Sequence, residues 1–418
     1  MALSLELPVV QKWSCHSCAG CCREHLIEIT DAERERIQKQ GWAASGEIGD
    51  REPVVPLSRW PARWRLNHTP AGACVFLNEQ GLCRIHAKFG EAAKPLACRV
   101  YPYAFHPTAG GKVAVSLRYS CPSVVANRGA TAQEASAEIR QIVKEVVPAG
   151  MKEMPPPAVS AKERLDWKSV GRIVEHLDAG FAESSEGFLR TLLGTIFWVS
   201  LVDQSTFDKL QGERLEEFLA LIRPAAAGEV PADLAEFSEP TRAGRLMFRA
   251  MVGQYARLET VTDLDHPWRA RLRNVRGLVR MSRGNGLLPP LREELKPVPF
   301  EELEKPFGWP SGADELFTRY IRTKIRGMHF CGPAFYEMPL TEGFFALALV
   351  VPVTFYMARW LAAGEGRKEL TMGNVERALA MADHHHGYSP ALGGPSSRRR
   401  VKMLAQGDLP KLCVWYGR

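Results

Sequence analysis

The chain has 418 residues, enough for one to three domains at about 150 residues each. Its apolar fraction of 45%, charged fraction of 24% and mean hydropathy of −0.18 exclude a disordered or collagen-like chain. The formal net charge of +7 permits an acidic partner, but it is too small to indicate a dedicated nucleic-acid binder. The first residues lack the basic and then apolar pattern of a signal peptide, so we expect a cytoplasmic protein.

Short strand-like runs and turn residues fill the first part of the chain. Residues 26–29 and 74–77 predict short strands, and residues 112–117 predict a strand that follows a glycine turn. Thr30 and Glu33 have the spacing of a capping box, which predicts the start of a helix. This pattern is typical of a small, loop-rich unit.

A proline-rich stretch marks the predicted domain boundary. Thr131 and Glu134 form a second capping-box pattern before an amphipathic helix, which ends at Pro148. Because repeated prolines cannot continue a helix, we expect a linker over residues 148–160. The sequence therefore predicts an α+β fold, with a cysteine-rich domain at 1–147 and a mainly α-helical domain at 161–418.

Helical periodicity dominates the second part of the chain. The longest apolar stretch, residues 344–358, has about 15 residues and is too short to span a membrane. It predicts a buried helix kinked at Pro352. A further helix is predicted over residues 371–382, just before His384, His385 and His386. Adjacent histidines rarely converge on one ion. The basic run of residues 398–400 is interpreted as a solvated tail.

The cysteines are unusually concentrated. Of the ten cysteines, eight lie within the first 121 residues: Cys15, Cys18, Cys21, Cys22, Cys74, Cys83, Cys98 and Cys121. In a reducing cytosol this density favours thiolate ligands of a metal over disulfides. Tetrahedral sulfur sites suit both zinc and iron–sulfur clusters, so the spacing leaves the metal open, along with the division of the eight thiols. The adjacent Cys21 and Cys22 are expected to point in different directions.

The residues around these cysteines form three motifs: Cys15-x2-Cys18-x2-Cys21-Cys22, Cys74-Val-Phe-Leu with Gly81-x-Cys83-x-Ile85-His86, and Lys94-Pro95-x2-Cys98-Arg99-x-Tyr101-Pro102. Together they resemble a cysteine-cluster family described as a zinc- or iron-chelating domain. Ser120-Cys121-Pro122 and the added helical region resemble the longer members of that family, the flagellin lysine N-methylases.

The resemblance implies a metal protein that methylates protein lysines. Its cofactors would be an iron–sulfur cluster, with 4Fe-4S favoured, or zinc, together with S-adenosylmethionine. Its partner would be a protein substrate such as flagellin. The sequence contains no glycine-rich strand-to-helix motif for S-adenosylmethionine and identifies no catalytic residue.

Arg99, Tyr101 and Tyr103 follow a candidate ligand and are the predicted cofactor-binding residues. A cation and two phenols near a cluster can donate hydrogen bonds to sulfur or bind an anionic group, although packing of a small domain also explains them. His86 is a weaker candidate ligand, and Cys331 is interpreted as a buried thiol.

Two other function classes stay open at this stage. The first is a metal-stapled binding or metal-handling protein without catalysis, and the second is an iron–sulfur electron-transfer protein. Neither a nucleic-acid partner nor a membrane partner is expected.

Overall fold

The computed structural model describes residues 4–8, 10–147 and 154–418. Its strands are confined to the first third of the chain: β1 Ser4–Glu6, β2 Lys12–Trp13, β3 Glu28–Ile29, β4 Val54–Arg59, β5 Ala62–Leu66, β6 Tyr103–Pro107, β7 Lys112–Leu117 and β8 Ala130–Thr131. The strands form three small sheets, ordered β1-β7-β6, β2-β8 and β3-β5-β4.

Helices form the rest of the described chain. Those before the proline-rich stretch are short: α1 Gly20–Glu24, α2 Asp31–Lys39, α3 Trp42–Ser45, α4 Arg84–Phe89, α5 Leu96–Val100, α6 Pro122–Val125 and α7 Ser136–Val146. Those after it are mostly longer: α8 Trp167–Ala182, α9 Phe188–Gln204, α10 Glu213–Gly228, α11 Arg242–Tyr255, α12 Val261–Asp265, α13 Pro267–Arg283, α14 Phe300–Leu303, α15 Ala313–Arg326, α16 Leu340–Gly364, α17 Met372–His385, α18 Pro390–Gly393, α19 Pro395–Ala405 and α20 Asp408–Gly417. The predicted α+β class, with a small sheet region followed by a helical part, is confirmed.

Two hydrophobic cores organise these elements. The smaller core contains buried residues between Ile29 and Ile85, with Cys22, Cys83 and Cys98 packed against it. The larger core surrounds α16 and also takes in the β6–β7 hairpin and α7. The hairpin is antiparallel, pairing Tyr103 with Leu117, whereas β1 joins β7 in parallel. The cysteine motifs therefore lie between a small core of their own and the helical core.

The predicted linker lies partly outside the described residues, which resume at Met154. Residues 154–158 lie in no helix or strand, and the backbone of 158–159 bonds to the start of α16: Leu340 N–H donates to the Ala158 carbonyl at 2.8 Å, and Thr341 N–H to the Val159 carbonyl at 3.0 Å. Val159 is buried in the helical core. The boundaries at 147 and 161 stay predictions.

Helix α16 is the central helix of the larger core. It is the one helix among the described residues that is long and apolar enough to cross a membrane, and its most apolar window is completely buried inside the protein. Pro352 lies within it. The predicted burial of this helix is confirmed, and its kink at Pro352 stays a prediction.

Local predictions from the sequence had mixed outcomes. The Thr30 capping box and the strand at 112–117 are confirmed. A strand at 74–77 is wrong, because Leu77 N–H turns back to the Cys74 carbonyl and only isolated bridges form. The Thr131–Glu134 capping bonds are present, but the helix begins later, at Ser136.

Two C-terminal expectations are also corrected. Helix α17 extends to His385 rather than ending at residue 382. The basic run at 398–400 lies in α19 rather than in a solvated tail, because Val401 and Leu404 of this helix are buried. Arg398 also forms a bidentate ion pair with Glu342, at 2.7 and 2.9 Å.

Candidate metal centre

The first four cysteines lie on a tight turn and the short helix that follows it. Cys15 and Cys18 lie between β2 and α1, where Ser17 and Ala19 both adopt positive φ. Ala19 is the N-cap of α1, and Cys21 and Cys22 lie in that helix. Their two sulfurs are 4.0 Å apart, so the expectation that the two side chains point apart is wrong.

The middle cysteines approach α1 through backbone contacts. The Cys74 N–H donates to the Cys22 carbonyl at 2.7 Å, which attaches the 74–77 turn to α1. Cys83 is the N-cap of α4, and Cys98 lies in α5. Because Cys22, Cys83 and Cys98 all pack against the core that contains Cys74, this small core positions four thiols.

All eight N-terminal cysteines border one cavity of about 1440 Å³. Their exposure differs across it: Cys15 and Cys18 are exposed, Cys74 and Cys121 are buried, and the other four are intermediate. The remaining cysteines, Cys331 and Cys413, are buried elsewhere. The cavity therefore collects the thiols of motifs that are widely separated in the sequence.

Electrostatic contacts divide these thiols into groups. Burial raises the pKa of Cys74 and of Cys98 to about 12, and the neighbouring thiols of Cys21 and Cys83 add to both shifts. The hydrogen bond with Cys22, followed by burial, raises the pKa of Cys21. Cys21, Cys22, Cys74, Cys83 and Cys98 thus act on one another.

Cys121 belongs to a different group. Burial raises the pKa of its thiol, and Cys18 adds to that shift. Cys121 is the N-cap of α6 and is buried in the larger core, at the end of the β6–β7 hairpin where Tyr103 pairs with Leu117. Cys18 therefore acts on Cys121, and neither is among the five thiols of the first set, which we call the five-thiol group.

The donor set fits a thiophilic metal. Four sulfurs around a tetrahedral ion at about 2.3 Å lie about 3.8 Å from one another, close to the 4.0 Å between Cys21 and Cys22. Within residues 4–8, 10–147 and 154–418, no three His, Cys, Asp or Glu side chains already form a compact metal-binding arrangement. The fit therefore rests on thiol chemistry and a shared cavity. A bound cation supplies the charge that these buried thiols need to ionise.

The three predicted cofactor-binding residues all border the cavity. Arg99 makes a bidentate ion pair with Glu145 of α7, at 2.6 and 2.7 Å. The Tyr101 hydroxyl is 3.1 Å from the Ser120 hydroxyl, and burial raises the pKa of Tyr101. Tyr103 is buried edge-on against Trp13. Arg99 is already neutralised, and the cofactor role of all three stays a prediction.

Sequence reasoning missed a cationic wall of the same cavity. Arg118, His25 and Tyr388 border it, and the Arg118 guanidinium lies 3.6 Å from the centre of the Tyr388 ring. Arg118 also donates to the His384 carbonyl at 3.3 Å. Arg118 stands three residues before Cys121 in the sequence, but nothing local indicates that Tyr388 covers it.

The three consecutive histidines do not converge. The His384 ring packs 4.8 Å from that of His25, next to the cavity wall. His385 contacts the Arg257 carbonyl, whereas His386 Nδ1 is 3.1 Å from the Tyr255 hydroxyl. Burial lowers the pKa of all three, which keeps them neutral. The rings of His384 and His385 lie 4.9 Å apart, whereas His386 faces Tyr255, so the three side chains do not meet at one point.

His86 and Cys331 are the two weaker candidates. His86 borders the cavity, but it is exposed and its Nδ1 is 3.5 Å from Glu91. Cys331 borders a small cavity of about 190 Å³ together with His106 and Trp167. Burial raises the pKa of the Cys331 thiol, which fits the interpretation as an inert buried thiol.

Comparison with known proteins agrees with this geometry. Residues 14–122 match the family model described as "Putative zinc- or iron-chelating domain". The protein is 28% identical over 115 residues to the Lysine-N-methylase of Salmonella choleraesuis and to that of Salmonella typhimurium. Each match covers 26% of this chain and 28% of the relative. No solved structure matches the protein. The N-terminal part is therefore similar to a zinc- or iron-chelating domain, and its likeness to lysine methylases is distant and partial.

Proposed function

We propose that this protein is a metal-dependent methyltransferase that uses S-adenosylmethionine to methylate lysine side chains of a protein such as flagellin. The observation that carries the proposal is the cavity of about 1440 Å³, which combines eight thiols with a cationic and aromatic wall. Partial likeness to Lysine-N-methylase supports the choice of reaction. We expect the protein to work in the cytoplasm, where thiols are kept reduced.

The metal is assigned to the five-thiol group. Cys21, Cys22, Cys74, Cys83 and Cys98 supply enough thiolates for a 4Fe-4S cluster or for zinc. The other three thiols would either form part of a second metal site or complete the first one: Cys15, Cys18 and Cys121. A metal held there joins α1, α4 and α5, whose own core is small. Its first role is thus to stabilise the cavity wall.

Arg118 is the residue that we assign to the cofactor carboxylate. Its guanidinium faces the cavity, 5.4 Å from the centre of the Tyr101 ring. When bound, S-adenosylmethionine supplies a methyl group on a positively charged sulfur. The methyl group would pass to an unprotonated lysine nitrogen, with the C–S electron pair left on sulfur and the amine proton released to water.

The chain's own residues favour the attacking form of lysine. An amine attacks only when it is unprotonated, and burial disfavours the charged ammonium. The same burial raises the pKa of Tyr101 and lowers the pKa of His25 to about 3. A lysine inserted beside these residues would lose its proton more readily than in water.

The first experiment determines the metal. Anaerobically purified protein should contain either iron and sulfide, with broad visible absorption, or zinc without colour. Cys98→Ser should lower metal affinity at least tenfold, because loss of even an indirect partner of a metal ligand costs that much. Cys413→Ser is the matched control, since Cys413 is a buried thiol of the helical core that does not border the cavity. Equal metal loss in both variants would contradict the assignment.

The second experiment tests methyl transfer. S-adenosylmethionine should bind saturably, and mass spectrometry should detect methylated lysines in flagellin incubated with the protein. Arg118→Gln should weaken cofactor binding and leave metal content unchanged, whereas Arg23→Gln, an exposed arginine in α1, should change neither. Metal-loaded protein that binds no S-adenosylmethionine would refute the methyltransferase proposal and favour metal handling. Reversible bleaching by dithionite without cofactor binding would instead favour electron transfer.

A further inference from the structure

Helix α13 presents apolar side chains to solvent along its length. Trp268 is 81% exposed, Leu272 52%, Val275 53% and Val279 44%. Their spacing of four, three and four residues places them on one face of an α-helix. We call these four side chains the α13 ridge. It is about 17 Å long, because each helical residue advances about 1.5 Å.

The opposite face of the same helix anchors it to the protein. Ala270, Gly277 and Met281 are buried, and α13 packs against α11. At about 100° per residue, these positions lie on the far side of the helix from the α13 ridge. The ridge is therefore not an unfinished part of the core, because the helix already has a separate buried face.

Arginines surround the α13 ridge. The helix contains six exposed arginines and no acidic residue: Arg269, Arg271, Arg273, Arg276, Arg280 and Arg283. Arg273 pairs with the buried Asp263. Within the described part of the chain, the other five make no ion pair with a side chain. An apolar ridge flanked by free guanidinium groups fits a partner whose surface has both anionic groups and apolar groups.

We propose that α13 docks on an anionic membrane surface, with the ridge at the acyl boundary and the arginines on lipid phosphates. Basic helices with Trp and aliphatic side chains on one face bind membranes in this way. Guanidinium groups suit phosphate because they donate paired hydrogen bonds. A fluid bilayer also accepts a protruding ridge without a preformed groove.

Charge and polarity disfavour the other occupants. Pairing with a second copy of α13 would bring two arginine rows together. Nucleic acid would satisfy the arginines but would leave the four apolar side chains against phosphates and water. The sequence expectation of no membrane partner rested on the lack of a spanning segment, and surface docking needs none. The proposal does not depend on methyl transfer.

Vesicle flotation of the full, metal-loaded protein tests this proposal. The protein should float with vesicles of phosphatidylcholine mixed with phosphatidylglycerol, and not with phosphatidylcholine alone. Raising the salt concentration should weaken binding, because screening acts on the arginines. Arg276→Gln with Arg280→Gln should weaken binding about 25-fold, at about fivefold for each cation near an anionic surface. Leu272→Glu should weaken it at least tenfold.

Leu221→Glu is the matched control. Leu221 is 73% exposed on α10, so this change adds the same charge at an exposed leucine away from α13. Circular dichroism checks that each variant is folded. The proposal is overturned if the wild-type protein does not float at low salt, or if Leu221→Glu weakens flotation as much as Leu272→Glu. Retention on a polyglutamate column without flotation would assign the ridge to an acidic protein and also overturn it.

Discussion

Replacing Lys324 by Met removes one partner of a fully buried ion pair. Lys324 Nζ lies 2.7 Å from Asp383 Oδ1, and neither side chain has any exposed surface. The pair joins α15 to α17. Nζ also donates to the Leu117 carbonyl at 3.2 Å, and the Ser120 N–H donates to the carboxylate at 3.2 Å. One interaction therefore connects two long helices to the chain that leads to Cys121.

The expected cost follows from this geometry. At 2.7 Å the attraction is about 6 kcal/mol at an effective dielectric constant of about 20, before desolvation is subtracted. Without Lys324, the Asp383 carboxylate retains hydrogen bonds from Tyr320 and Ser120 but has no other ion-pair partner among the described residues. We expect Lys324→Met to lower the free energy of unfolding by about 3–5 kcal/mol, the usual cost of leaving one buried charge unpaired.

A double-mutant cycle in urea isolates the pair. Adding Asp383→Leu to Lys324→Met removes both charges and should recover most of the lost stability. Lys305→Met is the matched control, because Lys305 and Glu302 are also 2.7 Å apart but exposed. That change should cost less than about 1 kcal/mol. Equal losses at Lys324 and Lys305, or a double variant with purely additive loss, would refute the reasoning.

Two further predictions concern stability. A Cβ at Gly343 would lie 1.8 Å from the Phe330 carbonyl oxygen. Gly343→Ala should therefore lower the free energy of unfolding by about 3 kcal/mol or more. Gly171→Ala is the control and should not destabilise the protein, because a Cβ at Gly171 of α8 would meet open space. Urea titrations of both variants check this, and equal midpoints would contradict the steric argument. Burial lowers the pKa of His106 and His385 to about 4. The unfolded chain, with a histidine pKa of about 6.5, binds more protons, so stability should fall as pH drops from about 6.5 toward 4. At pH 5 the free energy of unfolding should be lower by about 2 kcal/mol for each of these histidines. Urea titrations at pH 7 and pH 5 measure this difference, which His106→Gln should reduce. A midpoint that does not change with pH would show that these rings are not held neutral.

Several features of this protein are determined by residues close together in the sequence. The Thr30 capping box needs only Thr30 and Glu33, and β7 follows from alternation next to a glycine turn. The burial of α16 follows from its continuous apolar composition. The chelating character of the N-terminal part is also local, because it comes from cysteine type and spacing, and the family match covers the same residues. Such properties depend on chemistry within a few turns of the chain.

The tertiary structure decided what those segments contact. Cys74, Cys98 and Cys121 reach one cavity through packing and backbone bonds between distant segments, which spacing does not encode. Packing likewise places Tyr388 over Arg118. Helix α13 has apolar residues on two faces, and only its contact with α11 decides which face is buried and which becomes the ridge. Sequence periodicity defines the apolar faces of a helix, but packing against neighbouring elements decides which face is buried.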